Sequence, residues 1–202
     1  MNWFRALSKA KAVGLLALGF SVLYLLSDVV EAFQGGFSEA QLWMTLVAEA
    51  AIPVVVIGLY LVQRPQMRWL GRAGALAYAY AFVFFTGTVV YALVNGIGDY
   101  DVLSEDLAPW MTMHGGIMLL AGLCFGYAVM TAGVLPRWTG VTLAAGVVMV
   151  AGFQGLSEPL QLLAAATRDV GFAGMGVALL GVGAKSGRHT RAASPVADGL
   201  VS

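Results

Sequence analysis

Charged and polar side chains interrupt the last long apolar stretch of this chain. Glu158, Gln161, Arg168 and Asp169 lie in a segment whose apolar character continues to about residue 182. A charged group inside hydrocarbon costs at least about 2.5 kcal/mol, so such groups usually face a protein interior, pair with one another and mark a functional path. On a helix, Arg168 and Asp169 point about 100° apart, and we therefore expect them not to form a simple pair.

Three other apolar stretches carry polar side chains at helical spacing. In the first, Ser21, Tyr24, Asp28 and Glu31 follow one another at intervals of 3, 4 and 3 residues, which places them on one helix face. Similar faces are formed by Gln41, Thr45 and Glu49 in the second stretch and by Thr88, Tyr91 and Asn95 in the third. These patterns predict helices whose polar faces meet in a common pocket.

The predicted pocket has more acids than one guanidinium can neutralise. Its members are Tyr24, Asp28, Glu31, Glu49, Asn95, His114, Glu158, Gln161, Arg168 and Asp169. Arg168 remains charged and holds one or two carboxylates ionised, so we expect the other acids to take up or share protons. A buried bridge between Arg168 and an acid that only fixes helix register is the structural alternative.

Three functions are compatible with such a pocket. The first is a small permease-like or ligand-binding membrane protein that handles protons, a cation or a cationic small molecule. The second is a membrane-embedded acid/base enzyme of the isomerase or cyclase type. In it, Glu49 would protonate a lipophilic substrate, and Asp28 would stabilise positive charge or accept a proton. The third is a non-catalytic subunit of a membrane assembly. A carrier needs two access states, for which a homodimer is the expected arrangement.

The sequence predicts neither a metal site nor a cofactor. His114 is the only histidine within an apolar stretch, and no His pair or Cys set has zinc spacing. We expect His114 to be a hydrogen-bonding group rather than a ligand, although an oxygen-rich site for a harder cation stays open. The single cysteine, Cys124, cannot form a disulfide within the chain. Phosphate-binding and Gly-x-Ser-x-Gly motifs are missing, as is a basic surface for nucleic acid.

Composition indicates that these residues lie in a lipid bilayer. Of the 202 residues, 59% are hydrophobic and 11% are charged, whereas soluble domains have roughly 25% charged residues. Six apolar stretches are candidate spans: residues 12–33, 41–62, 74–97, 111–134, 139–153 and 160–182. We predict an all-α, polytopic membrane protein. It has a six-helix transmembrane domain over residues 1–183 and a disordered cytoplasmic tail over residues 184–202.

Charges between the predicted spans indicate the orientation. Lys and Arg occur before the first span, in alternate connections and after the last span, whereas the other connections contain acids and no Lys or Arg. The positive-inside rule then predicts a protein of the cell (cytoplasmic) membrane with both termini in the cytoplasm. The polar pocket would open outward. A cleaved signal peptide is the alternative for the first span. The length of the apolar stretch and the position of Asp28 and Glu31 favour a retained helix.

Overall fold

The computed structural model describes residues 2–192, with side chains over residues 8–181, and all its regular structure is helical. The seven helices in this range are α1 (Asn2–Gln34), α2 (Glu39–Gln63), α3 (Trp69–Asn95), α4 (Tyr100–Asp106), α5 (Trp110–Ala132), α6 (Arg137–Gly152) and α7 (Glu158–Ala192). The predicted all-α class is therefore confirmed for the part of the chain that the structure describes.

Five helices are long and apolar enough to cross a membrane by length and composition. They are α1 from Ser8, α2, α3, α5, and α7 as far as Gly181. The fifth predicted span, residues 139–153, corresponds to α6, which has 16 residues. At 1.5 Å per residue its length is about 24 Å, against a hydrocarbon thickness of about 30 Å. The fold is consistent with a multi-pass helical membrane protein, with five helices of full spanning length.

The last helix continues beyond the predicted domain boundary. Helix α7 ends at Ala192, whereas the sequence predicted the start of a disordered tail at residue 184. The remainder of that predicted tail, residues 193–202, lies outside the described residues.

Local capping explains several helix ends. The Ser38 hydroxyl accepts a hydrogen bond from the Gln41 N–H at the start of α2, and the Asp99 carboxylate accepts one from the Val102 N–H at the start of α4. Such side chains satisfy backbone donors that have no partner within a helix. Gly96 ends α3 in the left-handed conformation, with φ of 65°, which glycine adopts without a steric penalty.

The six longer helices form a closed ring. Each of α1, α2, α3, α5, α6 and α7 packs on its neighbours in chain order, and α7 packs back on α1. All six contribute to one interior cluster, whose largest fully buried side chains include Tyr78, Phe82, Phe125 and Phe172. A smaller cluster around Leu103 lies where the short helix α4 meets the ends of α2 and α3. The ring therefore encloses a packed core.

Glycines bring α7 close to both of its neighbours. A Cβ atom added at Gly146 of α6 would overlap the backbone of Arg168, and one added at Gly176 of α7 would lie 2.7 Å from the carbonyl oxygen of Gly14 in α1. Glycine is therefore required at these positions for the backbones to approach so closely. The contact at Gly146 also holds the backbone of Arg168 directly against α6.

Candidate functional site

Tyr24 joins three helices in the interior of the ring. Its hydroxyl donates a hydrogen bond of 2.7 Å to Oε1 of Glu49 on α2. The guanidinium carbon of Arg168 on α7 lies 4.5 Å from the centroid of the Tyr24 ring. A cation over an aromatic face is attracted by the ring quadrupole, and this attraction increases when both groups are buried. Polar faces predicted on three separate helices therefore meet here.

Arg168 forms an ion pair with the residue that follows it. Its Nε donates a hydrogen bond of 3.0 Å to Oδ1 of Asp169, and both side chains are buried. The prediction that these neighbours do not pair is wrong. Their Cβ atoms diverge by about 100° around the helix, but the long arginine side chain reaches across that angle, and its Nε faces the carboxylate.

Asp28 completes what we call the central cluster, which consists of Tyr24, Asp28, Glu49, Arg168 and Asp169. Asp28 is half-buried, and it lies within electrostatic reach of Glu49, Arg168 and Asp169. The cluster thus holds three carboxyl groups and one guanidinium. Among the described residues, its buried atoms without a hydrogen-bond partner are Asp28 Oδ2, Glu49 Oε2, Asp169 Oδ2 and Arg168 Nη2. Acceptors are in excess, so the cluster has sites at which protons can bind.

Aromatic side chains close the cluster on the side of the chain termini. Phe20 precedes Tyr24 by one turn of α1, and Phe172 follows Arg168 by one turn of α7. Their ring centroids are 5.4 Å apart, and the ring of Tyr78 from α3 lies 5.9 Å from that of Phe172. We call Phe20, Tyr78 and Phe172 the aromatic floor. All three are buried, and the Tyr78 hydroxyl has no hydrogen-bond partner among the described residues.

A second polar network lies on the opposite side of the cluster, and we call it the amide network. The Gln41 side-chain nitrogen lies 3.0 Å from Oε2 of Glu31, 3.0 Å from the Thr45 hydroxyl and 3.2 Å from the Ser27 hydroxyl. An amide group donates two hydrogen bonds, so it satisfies two of these three acceptors at a time. Gln41 thereby ties Glu31 of α1 to α2.

Two residues of these networks were missed in the sequence. Ser27 lies three residues after Tyr24 and four before Glu31, a spacing that could have found it. Tyr78 carries no comparable signal, because tyrosines alternate with alanines at positions 78 and 80 and the sequence does not distinguish the inward from the outward one. The structure buries Tyr78 completely and leaves Tyr80 56% exposed.

His114 belongs to a separate contact between α3 and α5. One ring nitrogen lies 2.9 Å from the Trp110 carbonyl oxygen, and the other lies 3.2 Å from the Tyr80 hydroxyl. The ring also stacks on Phe84, with centroids 3.7 Å apart. These contacts agree with the expectation of a hydrogen-bonding histidine, and none of them involves the central cluster.

Three further predicted site residues lie near the ends of the bundle. Asn95 donates a hydrogen bond of 2.9 Å to the Tyr91 carbonyl of its own helix, and Gln161 donates one of 2.8 Å to the Leu156 carbonyl. Both are exposed, so the structure does not bring them into the central cluster. Glu158 is also exposed, on the first turn of α7, but it lies within electrostatic reach of Glu31.

One open cavity lies away from the central cluster. It has a volume of about 270 Å³ and lies between the start of α2 and the end of α3, around Leu42 and Ile97. Within the described residues, no three His, Cys, Asp or Glu side chains are grouped so that they could hold a metal ion.

No protein family, curated protein or solved structure matches this chain.

Proposed function

We propose that this chain is a small multi-pass protein of the cell membrane with a permease-like role, whose central cluster binds and releases protons at an outward-facing acidic site. One observation carries the proposal: three carboxyl groups lie within electrostatic reach of a single guanidinium, which is bonded to only one of them, Asp169. With every group ionised, the cluster would hold two negative charges in excess in a poorly solvated site. Like charges so placed favour protonation of one or more acids.

The contacts assign different parts to the three acids. Asp169 accepts a hydrogen bond from Arg168, which keeps its charge, so this pair stays ionised. Glu49 accepts a hydrogen bond through one oxygen only, and Asp28 is half-buried with a free oxygen. Asp28 and Glu49 are therefore the acids that exchange protons, and Arg168 is their internal counter-ion.

Protons suit this site better than the other predicted ligands. A cationic small molecule or a lipophilic enzyme substrate must reach Glu49, whose side chain is only 6% exposed and is hydrogen-bonded to Tyr24. Proton binding needs only acceptor atoms, and the central cluster has them. A role as a non-catalytic subunit of an assembly would explain the packing, but not the excess of acids.

We also propose six spans with both termini in the cytoplasm. Exposed tryptophans support this arrangement, because tryptophan is enriched at membrane interfaces. Trp69 and Trp138, beside the basic connections, are 74% and 51% exposed. Trp43 and Trp110, beside the acidic connections, are 53% and 57% exposed. Helix α6 packs between α5 and α7 and so takes the place of a span, although it is short.

Infrared difference spectroscopy across a pH titration tests the proposed proton binding. We expect a carboxylic acid band that loses intensity in both Glu49→Gln and Asp28→Asn, since each variant removes one exchanging acid. In proteoliposomes, proton flux should fall about 100-fold in Glu49→Gln, the usual contribution of a positioned proton-transfer group. The matched control is Glu39→Gln, an exposed acid on the same helix. Carboxylic acid bands and proton fluxes that are the same in Glu49→Gln, Asp28→Asn and Glu39→Gln as in the wild-type protein would refute the proposal.

A further inference from the structure

Polar side chains lead from the central cluster to one end of the bundle. This end carries the acidic connections that follow α1, α3 and α6, and we call it the acidic end. Asp28 and Glu31 are both half-buried and lie one turn apart on α1, and Glu158 beyond them is exposed. Glu31 lies within electrostatic reach of both Asp28 and Glu158. Exposure thus increases from the cluster toward this end of the bundle, and Glu31 lies between the buried acids and the exposed one.

Among the described residues, aromatic and apolar side chains dominate the opposite side of the cluster, and the buried Ser21 hydroxyl there donates to the Ala17 carbonyl of its own helix. The aromatic floor lies directly beneath the cluster, and Ile52 and Met175 fill the same interior layer without exposure to solvent. These side chains offer no carboxylate that could pass a proton on. In this structure, the polar connection of the cluster therefore leads to the acidic end.

The amide network holds Glu31 in place. Gln41 is only 1% exposed and its nitrogen lies 3.0 Å from the Glu31 carboxylate. The Ser27 hydroxyl in turn donates a hydrogen bond of 3.2 Å to the main-chain carbonyl oxygen of Gln41, which fixes α1 against α2 at this level. The Oε1 atom of Gln41 is buried and has no hydrogen-bond partner among the described residues. A buried amide with an unpaired oxygen is costly, and it is a sign of a positioned polar site.

The groups that face Glu31 come from three helices. They are Asp28 on its own helix, Glu158 on α7 and Tyr100 on α4. Burial raises the pKa of the Tyr100 phenol, and the nearby Asp101 and Glu31 raise it further. Tyr100 therefore stays neutral, and Glu31 has no cationic side chain among these neighbours to hold it ionised.

We propose that Glu31 is the residue through which protons reach and leave the central cluster from the outer side, and that Gln41 positions it. The inference rests on the proposed function of the cluster. In each transfer, the O–H bond of protonated Glu31 breaks and a new O–H bond forms on the Asp28 carboxylate. Glu31 is then ionised and takes its next proton from the outer water, so charge and protons balance without a further reactant.

Proton uptake after a rapid pH drop tests this role in the full-length protein in proteoliposomes. Glu31→Gln should slow uptake about 100-fold, because glutamine keeps the size of the side chain but cannot carry the proton. The final number of protons bound at Asp28 and Glu49 should remain the same. Glu31→Asp should recover part of the rate. Glu39→Gln, an exposed acid at the same end of the bundle, should behave as the wild-type protein does.

The role of Gln41 is tested by a double variant. Gln41→Leu should slow uptake, but Glu31→Gln/Gln41→Leu should be no slower than Glu31→Gln alone, because Gln41 acts through Glu31. Additive losses would show that Gln41 has only a structural role and would overturn the positioning inference.

The outcomes separate this inference from the proposed function. An unchanged uptake rate in Glu31→Gln, together with a loss in Glu49→Gln, would overturn the role of Glu31 and leave the function of the cluster intact. If neither variant differs from the wild-type protein, the proposed function itself fails. If Glu31→Gln does not fold, Glu31→Ala takes its place: slower uptake in that variant would support the inference, and a wild-type rate would overturn it.

Discussion

Arg168 is the one cation of the central cluster, which also holds three acids. Its side chain is buried, it is paired with Asp169 and it lies over the ring of Tyr24. Desolvation of such a charge is expensive and is repaid only by close partners. Removal of the guanidinium would leave the cluster with carboxylates and no counter-ion, so the stability of the fold should depend on it.

We predict that Arg168→Leu lowers the free energy of unfolding by about 3–5 kcal/mol, the usual cost of breaking a buried ion pair from one side. The double variant Arg168→Leu/Asp169→Leu should recover part of this loss, because it also removes the acid that Arg168 holds ionised. Reversible unfolding in detergent measures both effects. Arg72→Leu, which removes an exposed arginine, should change stability by no more than about 0.5 kcal/mol. Equal effects at positions 72 and 168 would contradict the prediction.

The sequence indicated most of the central cluster because an ionisable group within an apolar helix has few alternatives to facing inward. Tyr24, Asp28 and Glu49 are brought together by the helix faces that their spacing defined. The same logic did not apply to Asn95 and Gln161. Both lie near helix ends, where local backbone carbonyls satisfy their amide groups. Spacing gives the direction of a side chain, but not its depth relative to water.

The contact between α6 and α7 sets the position of Arg168 within the bundle. The two helix axes approach closely because Gly146 has no side chain facing the Arg168 backbone. Gly171 makes a similar contact, since a Cβ added there would lie 2.7 Å from the Leu143 nitrogen. Two such contacts along one helix pair leave little freedom for α7 to shift.

We predict that Gly146→Ala destabilises the protein by about 1–3 kcal/mol, because the added methyl group must push α6 and α7 apart. The higher helix propensity of alanine offsets at most about 1 kcal/mol of this cost. Gly152→Ala on the same helix is the matched control, since an added Cβ there meets nothing within 4 Å. Unfolding in detergent should separate the two variants. A Gly146→Ala variant as stable as Gly152→Ala would show that the helices separate without cost.

The six longer helices were predictable because each coincides with an apolar stretch, but the short helix α4 was not. Helix α4 has only 7 residues, and it lies in an acidic connection without an apolar period. Its one local signal is Asp99, which caps the first turn. The end of α7 was predicted at residue 183 from the loss of apolar residues, yet the helix continues to Ala192. Hydrophobicity predicts which part of a helix is buried. The backbone hydrogen bonds of the helix can continue beyond that part.

The closed ring is the property of the whole molecule that no single stretch encodes. Neighbours in the chain pack together because their connections are short, but the contact between α1 and α7 joins the two ends of the chain. This contact places Asp28 beside Arg168, and Glu31 within reach of Glu158. The central cluster therefore exists only when the ring is complete, and the function that we propose for it depends on the topology across the membrane.

We predict that both termini and the connection between α2 and α3 face the cytoplasm, whereas the connections after α3 and α6 face outward. Single cysteines introduced by Asp101→Cys, Gln66→Cys and Gln154→Cys test this in a Cys124→Ala background, because all three positions are exposed. A membrane-impermeant thiol reagent added to intact cells should label positions 101 and 154. Position 66 should react only after the membrane is permeabilised.

Position 154 decides whether α6 is a span. Helix α6 is about 24 Å long, so it crosses the hydrocarbon only if the bilayer thins or the connection to α7 lies slightly below the outer surface. Labelling from outside, at a rate below that of position 101, would fit this sunken connection. It would also give water a short path to Glu158 and Glu31.

Labelling at position 154 only after permeabilisation would mean that α6 turns back. The start of α7 would then lie across the membrane from Tyr100, which contradicts the packing that brings both Glu158 and Tyr100 within electrostatic reach of Glu31.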